Sequence, residues 1–411
     1  MKYIEVLYHI MSDPVFIPRE HYMSRIRDSR DSDFIKILTG IRRCGKSTLM
    51  KMFIDELRDS GVPNDRICSI DLDDEGTGIE TFRELIDAVE SKLKGFDGSY
   101  IFLDEVQNIP EWERAVSTFY VRKADVYITG SNSDMLSSEL STKLSGRYLE
   151  IRVQPLVFSE YVIFRESDDY TRLLKDYIRY GGFPAVSLAM DRMPAQVVDI
   201  LDGIYNTVFN KDVIGRHEIR GNAMINHLCR YLMKNIGDRT SVRGAANYMT
   251  GKGMRTQPPT IDEYIGFLEE ALLFSRARRL DSKAKEYLRT ADKFFVADLG
   301  IRHCRVPFHP DDLDGIIKNL VYNELVYRFG NVAVCSVGQY EVDFVADPMG
   351  IPSYYQVAVS ISDPATRDRE LRPLKAIGDN YPKTIITYDD FLVTDIDGIR
   401  IVSLMDWLTE S

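Results

Sequence analysis

The sequence lacks closely spaced cysteines. The five that it has are spread over the chain, as Cys44, Cys68, Cys229, Cys304 and Cys335. This spacing argues against a disulfide framework or a zinc ribbon and fits a reducing cytoplasm. The histidines add no metal site, because His303, Cys304 and His309 form only a loose group without the spacing of zinc ligands.

Long apolar runs and an excess of positive charge are also absent. No window approaches eighteen apolar residues, and residues 1–5 lead into no secretory signal, so we expect a cytoplasmic protein with no membrane partner. The net charge of -11 argues against a wholly basic nucleic-acid coat but permits a local basic face. A length of 411 residues with 44% hydrophobic and 28% charged content predicts two or three globular domains.

The most informative stretch has a glycine, four residues, and then glycine, lysine and serine. Its nine residues are Gly40, Ile41, Arg42, Arg43, Cys44, Gly45, Lys46, Ser47 and Thr48. An apolar strand precedes it and a helical pattern follows, so backbone N–H groups and a helix N-terminus converge on one spot. This context predicts a phosphate-binding loop for ATP, with Lys46 on the phosphates and the Ser47 hydroxyl on Mg²⁺. Arg42 and Arg43 are either phosphate or partner contacts or an exposed cationic pair.

Strand-like and helical runs alternate through the first part of the chain, which predicts an α/β fold with a parallel sheet. The predicted strands are Ile35–Leu38, Arg66–Asp71, Tyr100–Leu103, Val126–Thr129 and Tyr148–Val153. The predicted helices are Thr48–Asp59, Phe82–Leu93, Trp112–Arg122 and Met135–Leu144.

Polar residues follow two of these strands at the edge where parallel strands place ligands. Asp104 and Glu105 end the third strand, and we assign Asp104 to the magnesium ion, through water, and Glu105 to the attacking water. Asn132, or Ser131 as second choice, follows the fourth strand and is a candidate contact for the γ-phosphate or the water. The alternatives are an acidic turn for the first pair and a helix cap for the second.

These motifs, with Ser145-Gly146-Arg147 and Tyr180-Gly181-Gly182-Phe183-Pro184, resemble the AAA-type ATPase family of bacteria and archaea. The resemblance covers nearly the whole chain and implies an ATPase related to the signal-transduction NTPases. It also places Arg147 where such enzymes hold the charge that neutralises the transition state, in the same chain or a neighbouring subunit. A surface cation is the alternative for Arg147.

Four consecutive regions are expected, of which the first two together form the nucleotide domain. Residues 1–155 form the ATPase core, 156–215 a helical lid, 216–300 a winged helix-turn-helix and 301–411 an α/β domain. The third is predicted from helices 228–233, 242–249 and 260–273 followed by strands 274–280 and 286–290. Its arginines and lysines, Arg239 and Arg243 among them, suit double-stranded DNA, although winged helices also pack against proteins.

The order of elements after Leu313 resembles the restriction-endonuclease-like core. Glu324 and Asp343 stand at its first two metal-site positions, but Gln356-Val357-Ala358 replaces the expected Glu-x-Lys. A divalent cation needs hard anionic oxygens, so we expect no nuclease activity.

The leading hypothesis is therefore an Mg²⁺-dependent ATPase whose hydrolysis repositions the appended domains, either as a homo-oligomer or with a protein partner. A DNA-binding or DNA-processing protein of mobile-element or defence type, in which ATP licenses loading, is the alternative. A third possibility is a regulatory protein that binds ATP and hardly hydrolyses it.

Overall fold

A computed structural model describes residues 17–136, 144, 146–219, 221–281, 286–287, 291–347 and 350–410. The chain divides into two compact units. The first unit runs to Gly40 and includes Gly45–Gly130 and Asp134–Val153. The second unit contains Ile41–Cys44, Ser131–Ser133 and the chain from Gln154 onward. The division into the four regions 1–155, 156–215, 216–300 and 301–411 remains a prediction.

The first unit is built on a five-stranded parallel sheet, as predicted. Its strands are β1 (Ile35–Thr39), β2 (Ile67–Asp71), β3 (Tyr100–Asp104), β4 (Asp125–Gly130) and β5 (Tyr148–Arg152). They lie in the order β2-β3-β4-β1-β5. Every residue of β1, β3 and β4 is buried, which accounts for the many apolar residues in these strands. Two of their charged residues, Lys36 of β1 and Asp125 of β4, form a buried ion pair.

Helices of the first unit are α1 (Glu20–Asp28), α2 (Lys46–Asp59), α3 (Phe82–Lys92) and α4 (Trp112–Val121). The core combines the sheet with side chains of α3 and α4, among them Leu85, Val116 and Phe119. A capping box at Thr81 and Glu84 sets the start of α3. The predicted helix 135–144 lies mostly outside the described residues.

Helices dominate the first part of the second unit. They are α5 (Phe158–Arg165), α6 (Tyr170–Tyr180), α7 (Pro184–Arg192), α8 (Val197–Thr207), α9 (Ala223–Lys234), α10 (Val242–Gly251) and α11 (Pro258–Glu270). A π-helical segment, Val208–Gly215, continues α8.

The second unit also contains a small antiparallel sheet. Its strands β6 (Arg239–Thr240), β7 (Phe274–Ala277) and β9 (Asp292–Val296) lie in the order β6-β9-β7. The predicted strand 274–280 is divided into two, β7 and β8 (Arg279–Asp281). Its predicted pairing with 286–290 is seen in the described residues as an isolated antiparallel bridge between Leu280 and Tyr287, and residues 288–290 lie outside the described ranges. The chain leaves this sheet after Ala277, and β9 is the partner of β7.

The last part of the second unit is a seven-stranded sheet with four helices. The strands are β8 (Arg279–Asp281), β10 (Val332–Val337), β11 (Tyr340–Ala346), β12 (Ser353–Ala358), β13 (Lys383–Thr387), β14 (Asp395–Ile396) and β15 (Ile399–Ser403). Their order is β14-β15-β13-β12-β11-β10-β8. The helices are α12 (Leu299–Arg305), α13 (Leu313–Phe329), α14 (Pro364–Lys375) and α15 (Leu404–Thr409). Within the described ranges, no helix has both the length and the hydropathy of a membrane span.

Candidate nucleotide site

The loop after β1 has the backbone that a phosphate nest requires. Gly45 precedes α2 with φ 108°, and Arg43 has φ 68°, so both lie in the left-handed region. A side chain at Gly45 would strain this conformation, which explains the second glycine of the motif. The first N–H groups of the fourteen-residue helix α2 lack acceptors within the helix and suit an anion.

Lys46 is held over this loop. Its residue surface is 3% exposed, and its Nζ donates to the Gly40 carbonyl at 2.9 Å and lies 3.5 Å from Glu105 Oε1. An ammonium group withdrawn from water needs charged or polar partners. Phosphate oxygens would serve as such partners.

Asp104 lies at the end of β3 and is connected to the loop. It accepts hydrogen bonds from the hydroxyls of Thr129 and Ser47. Burial raises the pKa of Asp104, as do the negative charges of Glu105 and Asp71, and the two hydroxyls only partly oppose this. A cation beside Ser47 would favour the ionised carboxylate, so the residues fit Mg²⁺.

Glu105 has a strained backbone. It is a non-glycine residue with φ 51°, and its N–H donates to Thr129 Oγ1 at 2.9 Å. The Gln107 amide donates to its carboxylate. Such left-handed residues persist where their surroundings fix them, and here Thr129, Gln107 and Lys46 do so.

The tip of the loop belongs to the second unit, where Arg42 forms a buried ion pair. Its Nε and Nη2 donate to the two carboxylate oxygens of Asp212, each at 3.1 Å, and Asp212 is 1% exposed. Ser131 Oγ donates to the same carboxylate at 3.3 Å. Arg42 is therefore neither an exposed cation nor free to bind phosphate, whereas Arg43 is exposed.

Asn132 follows Ser131 and is 6% exposed. Ser131, our second choice for the γ-phosphate contact, uses its hydroxyl on Asp212 instead. Asn132 remains a predicted contact of the γ-phosphate or the water.

Arg147 lies at the other edge of the sheet in its own chain. Tyr148 of β5 pairs with Ile35, the first residue of β1, whereas the phosphate loop follows the last. The five residues of β1 separate its beginning, beside Tyr148, from its end, at the phosphate loop, by roughly 15 Å. The guanidinium lies over the Tyr120 ring at 5.4 Å, so the structure does not bring Arg147 to its own phosphate loop. A role for Arg147 in a neighbouring chain remains a prediction.

Two functional residues of this region, Thr129 and Asp212, were not predicted from the sequence. Thr129 links Asp104 to the backbone of Glu105, and Asp212 holds Arg42. Thr129 ends the predicted strand Val126–Thr129, and this position at a strand end was a signal. Asp212 lies 170 residues after Arg42 in a helical pattern, and no local signal pairs the two.

Glu324 and Asp343, which stand at the first two metal-site positions of the resemblance, are each paired with basic side chains. Glu324 binds Arg328 Nε at 2.8 Å. Asp343 binds Lys293 Nζ at 2.8 Å, and Lys318 Nζ lies 3.5 Å away. In the described ranges, no group of three or more His, Cys, Asp or Glu side chains is arranged to hold a metal.

Comparisons with known proteins show the family of the chain. An uncharacterized protein of Haemophilus influenzae is 31% identical over 401 residues, which cover 96% of this chain and 99% of that protein. The chain belongs to the same family as this Haemophilus protein. An uncharacterized protein of Methanocaldococcus jannaschii is 27% identical, covering 87% of this chain and 82% of its own.

Two family models match separate parts of the chain. Residues 32–162 match an AAA domain, and residues 171–312 match a domain of unknown function (DUF8612). A Walker-type ATPase of Pyrococcus abyssi aligns with a TM-score of 0.52 at 16% identity, covering 71% of this chain and 96% of its own, and therefore shares the fold. The first unit is thus an AAA domain with the fold of P-loop ATPases.

Proposed function

We propose that the protein binds ATP with Mg²⁺ and hydrolyses it, and that hydrolysis repositions the appended second unit. One observation carries this proposal: Lys46, Ser47, Asp104 and Glu105 are joined by contacts within the AAA domain. An ammonium group, a hydroxyl and two carboxylates at the end of a phosphate nest are the groups that phosphoryl transfer to water requires.

Each residue has a distinct role in binding. The N–H groups of the loop and of the first turn of α2 bind the phosphate oxygens, and Lys46 supplies positive charge. Ser47 and Asp104 would hold Mg²⁺, Asp104 through water. The ion, when bound, neutralises charge on the phosphates.

Glu105 orients and polarises the attacking water. Its carboxylate is held by Gln107 and faces Lys46, so the base is fixed before the nucleotide arrives. Asn132 follows β4 and contacts the γ-phosphate or this water. Arg147 completes the charge only from a neighbouring chain, which would make hydrolysis dependent on a homo-oligomer.

Lys46→Ala is the first test. Fluorescent ATP should bind to the wild type, and binding should weaken at least about tenfold in the variant, because hydrogen bonds to charged groups contribute about 1.5–3 kcal/mol. Lys51→Ala removes an exposed lysine from the same helix and should bind like the wild type. Equal affinities of Lys46→Ala and Lys51→Ala would reject the proposed site.

A second candidate function is binding of double-stranded DNA by a winged helix. The element order α9, β6, α10, α11, β7, β9 supports this fold for the region. Five exposed cations there have no ion pair with a carboxylate of the described residues, namely Arg230, Lys234, Arg243, Lys252 and Arg255. By contrast, Glu341 already binds Arg239, and Glu269 binds Arg276.

This difference gives a test of DNA binding. Fluorescence anisotropy with a labelled duplex should show salt-dependent affinity, and the double variant Arg243→Ala, Lys252→Ala should lower the slope of log K against log salt by about 0.9 for each lost phosphate contact. Arg239→Ala should change this slope less, since Arg239 is paired with Glu341. If the duplex does not bind at low salt, with or without ATP, this candidate fails.

We also propose that the last sheet does not cut nucleic acid. Two lysines, Lys293 and Lys318, lie at the Asp343 carboxylate, and Gln356 donates its amide to Glu370. Ammonium groups therefore neutralise the carboxylate on which a nuclease would place its metal. No disulfide joins the cysteines in the part of the chain that the structure describes, which supports function in the cytoplasm.

A further inference from the structure

The second unit contains a cavity of about 530 Å³ that the proposed ATPase does not use. It lies between helix α6, helix α12 with the loop after it, and the residue that follows β13. Its walls include Lys175, Arg179, His303, Phe308 and Tyr388. The volume lies in the range of small-molecule sites, about 300–1,000 Å³.

The cavity has a cationic wall. Lys175 and Arg179 are four residues apart on α6 and so lie on one face of the helix. Neither forms an ion pair with a carboxylate of the described residues, and no acidic residue lines the cavity. Asp312 is the acid whose charge acts on His303, and its carboxylate already binds Arg302 Nη2 at 2.7 Å. This wall attracts an anion in a chain whose net charge is negative.

His303 offers hydrogen bonds that the protein leaves unused. Both ring nitrogens are buried, and neither has a partner among the described residues. Burial lowers the pKa of His303 to about 4, with help from the charges of Arg302 and Arg179, so the ring is neutral at physiological pH. A neutral imidazole has one donor and one acceptor, and leaving both buried without partners is unfavourable.

Aromatic side chains complete the cavity. Phe308 is 54% exposed, although it is a large apolar residue, and its ring lies 5.9 Å from that of His303. Tyr388 provides another ring. A flat ligand would cover Phe308 and exclude water from it, and aromatic stacking would add to this gain.

We propose that this cavity binds a small aromatic phosphate or carboxylate. The anionic group contacts Lys175 and Arg179, the planar ring lies against Phe308, and a polar group of the ligand pairs with His303. This site differs from the phosphate loop, so the proposal goes beyond the proposed ATPase function and does not depend on it.

Titration with 2-naphthyl phosphate and 2-naphthoate tests the proposal on the full chain. Calorimetry should show one saturable site for at least one of them, which also decides between phosphate and carboxylate. Inorganic phosphate alone and 2-naphthol alone should bind at least about tenfold more weakly, since each lacks half of the contacts. Lys46→Ala should bind the probe as the wild type does, because the phosphate loop is not the site.

Variants of exposed residues then locate the site. Arg179→Gln and Phe308→Ala should each weaken binding about tenfold or more. Arg172→Gln removes an exposed charge from the same helix outside the cavity wall and should bind normally. The proposal is overturned if neither probe saturates by about 1 mM, if Lys46→Ala abolishes binding, or if Arg179→Gln and Phe308→Ala bind as Arg172→Gln does.

Discussion

Glu105→Gln is expected to bind ATP with nearly the affinity of the wild type and to release phosphate about 10²–10⁴ times more slowly. The amide retains an oxygen that can accept the hydrogen bond from Gln107 but cannot accept a proton from water. Lys46, Ser47 and the loop N–H groups are unchanged, so binding persists. A phosphate-release assay beside a fluorescent-nucleotide titration measures both quantities.

Glu111→Gln is the matched control. Glu111 is also a glutamate in the left-handed region, with φ 54°, but it is exposed and pairs with Arg114. Its variant should hydrolyse ATP like the wild type, so a loss confined to Glu105→Gln is chemical rather than conformational. Equal turnover in wild type and Glu105→Gln would remove Glu105 from the mechanism. A single stoichiometric burst from the wild type would favour the regulatory protein that hardly hydrolyses ATP.

The AAA domain could be predicted well because its signals are local. The motif from Gly40 to Thr48 joins a buried strand to a helix, and Asp104 directly ends another strand. Parallel strands place their carboxyl ends at one edge, so order along the chain was enough to bring Ser47 and Asp104 together. The hydrogen bond between them confirms that expectation.

Arg147 shows what such reasoning leaves open. Its place before β5 predicted a charge for a nucleotide site in the same chain or in a neighbouring subunit, and a residue that precedes a parallel strand lies at the opposite edge of the sheet from one that follows it. A resemblance between motifs does not reveal which subunit's site an arginine reaches.

The second unit was harder to predict because its key contacts are distant in sequence. At Arg278 the chain passes from the small antiparallel sheet to the seven-stranded sheet. The sequence pattern over 274–280 does not change at this residue, so it does not reveal that the predicted strand is divided. Asp212 and Arg42 likewise meet only through tertiary packing. The strand that pairs with β7 begins at Asp292, whereas Tyr287 of the predicted strand 286–290 forms an isolated bridge with Leu280.

Asp343→Ala should lower the free energy of unfolding of the second unit by about 3–5 kcal/mol, as loss of one partner from a buried ion pair does. Asp343 is 3% exposed and accepts from Lys293 Nζ and from the Val357 N–H. Its removal leaves Lys293 buried with less compensation. Urea unfolding in a Trp112→Phe background would report the second unit through Trp407, the remaining tryptophan.

Lys375→Ala is the contrasting control, because Lys375 and Asp397 form an exposed pair whose loss should cost about 1 kcal/mol or less.

The dependence of stability on pH distinguishes an effect of the Asp343 charge from an effect of its packing. Burial alone would raise the pKa of Asp343, but the charges of Lys293 and Lys318 and the hydrogen bonds from Lys293 and Val357 lower it. A carboxylate whose pKa is lower in the folded than in the unfolded state stabilises the fold at pH values above its unfolded pKa of about 3.9. This stabilisation is lost as the pH falls through the folded pKa. The difference in free energy of unfolding between wild type and Asp343→Asn should therefore be largest at neutral pH and decrease below about pH 4. If this free-energy difference stays constant as the pH falls through and below the folded pKa, Asp343 acts through packing. The charges of the two lysines would then not be what stabilises its carboxylate.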